Sequence, residues 1–236
     1  MERVADDSLA RRVQQILDRM RSAAERAGRS PDTVRLVAAT KTVPAERIRE
    51  GLGAGLTLLG ENRMQEALAK VGLLRDLLPR WHFIGQLQRR KVRDAIGIFE
   101  LIHSVDSVEL AQEINRRAGA AGVKQAVLLE VNIAGEASKA GFLPPVLMQD
   151  LSLLGDLPHL RIQGLMTIPP PTAEPEAARP YFRDLRELGA RIAAKNISPM
   201  TMQDFSMGMS HDFEIAIEEG ATMVRVGTAI FGARHV

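Results

Sequence analysis

Apolar residues in this chain fall in short unbroken runs, and each run is followed by a longer stretch whose apolar positions recur at helical spacing. A run with no polar alternation is the pattern of a strand covered on both faces. The first run is Leu36, Val37, Ala38 and Ala39, closed by Thr40 and Lys41, and Pro44 then suits the first turn of a helix. Seven further runs predict strands over 56–62, 81–85, 101–106, 127–132, 162–168, 200–207 and 223–228, the seventh strand being the weakest pattern. Helical spacing predicts helices over 44–54, 64–78, 86–96, 107–121, 143–154, 175–195 and 212–219. Ser107 is placed to cap the fourth of these. An extra helix over 7–27 precedes the first strand, with Leu9, Val13, Ile16, Leu17, Met20 and Ala24 on one face. Residues 134–141 and 169–171 read as loops, 208–210 as a turn, and the residues after 228 as a short tail.

Strands alternating with helices imply right-handed parallel crossovers. Eight of them within 236 residues point to one domain over 1–236, a single (β/α)8 TIM-type barrel with an extra N-terminal helix. A doubly wound open sheet is the runner-up, weakened because no glycine-rich dinucleotide fingerprint follows the first strand.

Composition narrows the chemistry. Hydrophobic residues make up 45% of the chain and charged residues 25%, the balance of an ordinary folded domain. A net charge of +2 is too small to imply a nucleic-acid partner. The absence of cysteine removes disulfides, thiol nucleophiles and thiolate metal sites together, and fits a reducing, cytoplasmic setting. No signal peptide is read at the N-terminus, and no apolar run is long enough to predict a membrane span. The five histidines show no metal-ligand spacing. The basic stretch from Arg89 to Arg93 lacks interleaved aromatics and reads as a solvated helix face.

In such a barrel the ligand site lies at the carboxyl ends of the strands. Those ends offer Lys41, Asn62, His82, Ser104, Asn132, Thr167, Ser206, Gly227 and Thr228. A lysine at a core strand end is a candidate for Schiff-base chemistry, because an amine shielded from water gives up its proton more readily. The plainer reading is a lysine that reaches for solvent. Ser206 to Ser210 and Gly227-Thr228 close the last two strands, where barrel enzymes frequently bind phosphate. Glycines there allow close approach of backbone N–H groups, and hydroxyls add donors. Closure of the barrel would set these loops beside Lys41. Arg225 points inward if the eighth strand keeps its period of two, and needs an acceptor: a ligand atom, or Glu61, Glu130 or Asp106.

Taken together these stretches are recognisable. LVAATKT over 36–42, GEN over 60–62, WHFIG over 81–85, VNI with SKAG over 131–133 and 138–141, GLMTIP over 164–169, SMGMS over 206–210 and MVRVGTAIFG over 223–232 occur in order. The chain resembles the pyridoxal phosphate homeostasis protein family, which shares the barrel of the alanine racemase N-terminal domain. Gln86 and His211 depart from the family pattern at the rim.

The resemblance implies pyridoxal 5′-phosphate (PLP) held as an aldimine on Lys41. It also implies phosphate contacts from Ser206, Gly227 and Thr228, Arg225 facing the pyridine nitrogen, and Asn62 in the pocket. An arginine there keeps the ring nitrogen unprotonated and makes the ring a weak electron sink. Racemisation would need a second base, which alanine racemases take as a tyrosine from another domain and subunit. This chain has one tyrosine, Tyr181, on a predicted outer helix. The expected role is therefore PLP homeostasis without robust turnover, as a monomer, with apo PLP-dependent enzymes as possible recipients. An amino-acid racemase of narrow specificity is the alternative, and an aldolase-like phosphosugar barrel a weaker third.

Overall fold

The computed structural model describes residues 8–232. Eight parallel strands close into a barrel in sequence order: β1 (Arg35–Ala39), β2 (Leu58–Glu61), β3 (Arg80–Phe83), β4 (Leu101–Val105), β5 (Gln125–Glu130), β6 (Leu160–Met166), β7 (Asp204–Met209) and β8 (Met223–Val226). The (β/α)8 architecture expected from the alternation is the one observed. Closure pairs β1 with β8, Val37 opposite Arg225 and Ala38 opposite Val226. That register sets the turn after β1 beside the turn after β8.

Nine helices surround the barrel among the described residues: α1 (Leu9–Arg26), α2 (Ala45–Gly53), α3 (Met64–Leu73), α4 (Val92–Ala95), α5 (Val108–Ala120), α6 (Pro144–Gly155), α7 (Arg179–Ala193), α8 (Phe213–Glu218) and α9 (Thr228–Phe231). Ser107 caps α5, its hydroxyl accepting from the Leu110 N–H at 3.3 Å. The predicted helix over 7–27 is α1; its residue 7 lies outside the described residues.

Several boundaries differ from expectation. The helix predicted over 86–96 contracts to one tight turn, Arg89–Lys91, followed by the four-residue α4. The polar run from Gln88 to Lys91 offers no apolar face, and Gly97, at φ 83, ends the segment. The helix predicted over 64–78 stops at Leu73 and resumes as the turn Arg75–Leu77. The one predicted over 175–195 begins as a separate tight turn, Pro175–Ala178, because Pro180 brings no N–H to join it to α7. The seventh strand runs to Met209 rather than turning at 208. Its predicted start survives only as backbone bonds, Thr201 N–H to the Ile162 carbonyl and Gln203 N–H to that of Gln163. The short tail contains α9.

Two apolar layers result. The larger lies between strands and helices, with Ile48, Leu59, Phe83, Leu129, Phe182 and Phe213 fully buried. The smaller fills the barrel's interior with Val37, Leu58, Ile84, Leu101, Ala126, Leu128, Met166 and Met223. Along β8 the period of two sends Met223 inward and Val224 and Val226 outward, so Arg225 also points in.

Candidate functional site

A cavity of about 910 Å³ opens at the carboxyl ends of the strands. Lys41, Asn62, Arg225, Gly227 and Thr228 all line it, so five of the six residues singled out from the sequence come together. Ser206 does not. It is fully buried inside the barrel, and its hydroxyl is bonded to Arg225 and to His103. Ser210, four residues on, lines the cavity in its place. The β7–β8 register shifts between Ser206 and Met209, which breaks a simple period-two reading at this point.

Lys41 sits in a turn that leaves β1. The Val43 N–H closes it by donating to the Thr40 carbonyl at 2.9 Å. Thr42 has φ 63, a conformation that a β-branched residue adopts at a cost of roughly 1–3 kcal/mol. Its N–H donates to Glu66 Oε2 at 2.9 Å, which holds the turn. Beneath it, Lys70 donates to the Thr40 carbonyl and to Glu61 Oε1, both at 2.7 Å. The Thr40 hydroxyl donates to the same Glu61 oxygen at 2.5 Å. The strand end is thus clamped, while the Lys41 amine has no hydrogen-bond or ion-pair partner among the described residues.

The neighbouring wall is built from the β7–α8 and β8–α9 turns. Gly208, at φ 89, lets α8 pack so closely that a Cβ there would lie 2.5 Å from that of Ala216. Asp212 then accepts from the Met209 N–H at 2.7 Å and fixes Ser210 at the rim. The Ser210 hydroxyl accepts from the N–H groups of Gly227 and Ala229 at 3.3 and 3.4 Å, both long bonds. It occupies the place an anionic oxygen would take against the same donors. A Cβ at Gly227 would lie 3.0 Å from the Ala39 carbonyl, so a small residue lets β8 close against β1 here.

Arg225 forms part of the floor. Its Nη1 donates to the Ser206 carbonyl at 2.8 Å and to the Ser206 hydroxyl at 2.6 Å, and Nη2 to the Thr167 carbonyl at 2.8 Å. Of the acceptors weighed from the sequence, Glu61 is taken by Lys70, and no salt bridge to Glu130 or Asp106 forms. Burial lowers the arginine's pKa to about 10, opposed by the charges of Glu130 and Asp212. Burial also raises the Glu130 carboxyl to about 7, with Asp106 adding to the rise and Arg225 opposing it.

Two of the remaining polar strand ends, Asn132 and Thr167, have structural employment. Asn132 ties its loop together, donating to the Glu136 carbonyl at 2.8 Å and accepting from the Glu136 N–H at 3.1 Å. The Thr167 hydroxyl donates to the Val131 carbonyl at 2.8 Å. Ser104 is buried with no hydrogen-bond partner among the described residues. His82 and His103, far apart in the chain, meet inside the barrel at 2.8 Å. No cluster of metal-ligating side chains occurs among the described residues. The arrangement suits a ligand with a carbonyl carbon at one end and an anion at the other, lying over a cationic floor.

The chain is similar to known proteins along nearly its whole length. The model of the alanine racemase N-terminal domain matches residues 12–235. The pyridoxal phosphate homeostasis protein of Aquifex aeolicus is 49% identical over 223 residues, covering 94% of this chain and 97% of the relative. That of Pseudomonas aeruginosa is 46% identical over 227 residues, 96% of each chain. PipY of Synechococcus elongatus, solved with PLP bound, superposes with a TM-score of 0.84 at 37% identity, covering 95% of this chain and all of that one. With its barrel, its cavity and its relatives agreeing, this chain belongs to the pyridoxal phosphate homeostasis protein family, built on the alanine racemase N-terminal domain.

Proposed function

We propose that this protein binds PLP at the barrel mouth with Lys41 as covalent anchor, and acts in PLP homeostasis without robust catalytic turnover. One observation carries the reading: an unpartnered amine shares one cavity with a wall of anion-binding donors, and a buried arginine lines the same cavity. The residues fit the cofactor's three polar parts. Lys41 supplies the amine that condenses with the aldehyde, releasing one water. Ser210, Gly227 and Thr228 receive the phosphate; Ser206 is relieved of that role because its hydroxyl is already occupied. Arg225 faces the ring nitrogen and Asn62 lines the adjoining wall. The clamped turn below Lys41 keeps its reach short and constant.

Bound PLP supplies an aldehyde and an electron-withdrawing ring. Arg225 limits the second property, since two positive groups facing each other repel and the ring nitrogen stays unprotonated. The cavity lining carries no tyrosine and no carboxylate among the described residues. This supports a carrier that keeps free PLP low and releases it, with apo PLP-dependent enzymes as the recipient class. We read the protein as a monomer.

The test is spectroscopic. Purified protein mixed with PLP is expected to gain a visible absorption band, and borohydride should fix the cofactor's mass on the peptide containing Lys41. A band retained in Lys41→Ala, or mass fixed on another lysine, would overturn the anchor. The narrow racemase remains the second reading because His211 lines the cavity rim and is the lining's one imidazole. Incubation with L- and D-alanine separates the two readings: turnover comparable to that of dedicated racemases would favour the enzyme.

A further inference from the structure

The barrel interior holds a polar chain of which the proposed function uses only the last member, Arg225. His82 Nδ1 lies 2.8 Å from His103 Nε2, and His103 Nδ1 lies 2.8 Å from the Ser206 hydroxyl. Arg225 Nη1 donates to that hydroxyl at 2.6 Å. Four successive side chains from β3, β4, β7 and β8 thus form one line ending at the cavity floor. All four are nearly inaccessible to solvent.

Donor and acceptor roles along this line follow from its arginine end. A guanidinium only donates, so Ser206 Oγ accepts there. Its own hydrogen then goes to His103 Nδ1. A neutral His103 carries its proton on Nε2 and gives it to His82 Nδ1, leaving the His82 Nε2–H as the one loose end. That atom is buried without a partner among the described residues in either order. The reverse order would strand the Ser206 hydrogen as well. Each stranded polar group costs about 1–3 kcal/mol, so the chain has a preferred direction. Both rings stay neutral: burial takes His82 to about 3, against Glu100 and with Arg35 and Arg80 adding, and takes His103 well below its ordinary value, with His82, Arg225 and Arg35 adding.

We infer that Ser206 and His103 are positioning residues for Arg225, acting through a one-way hydrogen-bond relay that starts at His82. The relay draws the serine's hydrogen away from the guanidinium and leaves a pure acceptor facing it. Together with the carbonyls of Ser206 and Thr167 this holds three of the arginine's five N–H groups. The inference rests on the reading of Arg225 as the neighbour of the PLP ring nitrogen, but the relay itself is measurable without cofactor.

Long-range proton–nitrogen correlation NMR of the cofactor-free protein reads the tautomers directly. The expected result is that His82 and His103 are both neutral with the proton on Nε2, unchanged from pH 5 to pH 8. A proton on His103 Nδ1, or an imidazolium, would overturn the relay. A second arm uses the PLP-loaded protein. His103→Leu removes the acceptor for Ser206, whereas His103→Asn keeps one near the Nδ1 position. The leucine variant should change the bound-cofactor spectrum and its pH profile and weaken PLP binding by about tenfold. The asparagine variant should restore the wild-type spectrum. A leucine variant that melts like wild type and shows its spectrum and affinity would overturn the positioning role. If that variant does not fold, the wild-type tautomers decide. Failure of the wild-type protein to bind PLP would sink the functional reading and leave the relay standing.

Discussion

Two lysines stand on either side of one strand end, and they have opposite fates. Lys70 is almost fully buried and gives its amine to the Thr40 carbonyl and to Glu61. Lys41 is half-buried, lines the cavity and has no partner among the described residues. Burial alone would have chosen Lys70 as the reactive amine. There the amine is already paired with a carboxylate at 2.7 Å, which leaves it no freedom to react. What marks Lys41 is the lack of any acceptor among the described residues, combined with the anion-binding wall in the same cavity. Lys70 serves it from below by fixing the strand end from which it projects.

The largest expected effects separate the two directly. Lys41→Ala should lose all covalently attached PLP, read as the mass retained after borohydride, while its melting temperature stays near wild type. Lys70→Met should do the reverse. It strands the Glu61 charge inside the fold and should cost about 3–5 kcal/mol of stability by denaturant titration, with covalent PLP still formed by the folded fraction. Pairing it with Glu61→Leu should recover much of that loss, since an apolar pair is often as stable as a buried ion pair. If Lys70→Met instead abolished attachment in fully folded protein, the two lysines would not divide the labour in this way.

The same comparison shows what was legible beforehand. Lys41 could be found because an unbroken apolar run ends on it and Pro44 follows, a purely local signal. The eight-fold alternation made the barrel readable for the same reason. The pairing of Lys70 with Glu61 joins residues of α3 and β2 whose side chains meet only once the fold exists, and nothing in their spacing announces it. Ser206 and Ser210 lie in one motif, and the choice between them depends on a register shift that period-two reasoning does not see. The histidines looked scattered along the chain because strand neighbours in a closed barrel are about twenty residues apart, as His82 and His103 are.

If partners decide what a buried charge does, a third group sharpens the point. Glu130 is mostly buried near Asp106, and its side chain has no hydrogen bond among the described residues. Its carboxyl is raised to about 7 in the folded protein, above its unfolded value, chiefly by burial. The native state therefore holds a proton that the unfolded state releases between these values. Stability from this group is fully present below about pH 4.5 and is lost as pH rises through 7. Cofactor-free wild type should lose about 2–3 kcal/mol relative to Glu130→Gln between pH 5 and pH 8, less whatever solvent screening removes. Parallel pH profiles of the two proteins would mean that Glu130 has a partner after all.

The smallest expected effect tests the wall that shares the cavity with Lys41. Ser210 bonds two backbone N–H groups through long contacts of 3.3 and 3.4 Å, so its hydroxyl contributes little to the fold. Toward a phosphate it is one donor among several, and its removal should cost about 1 kcal/mol, or roughly a five-fold weaker PLP affinity, with melting unchanged. Pyridoxal without the phosphate should bind wild type and Ser210→Ala equally, because the serine then has nothing to grip. A variant that weakened pyridoxal as much as PLP would place Ser210 against the ring or the aldehyde. The anion wall would then consist of the turn from Gly227 to Ala229 alone, and the asymmetry between an unpartnered amine and a donor-rich wall would rest on that one short turn.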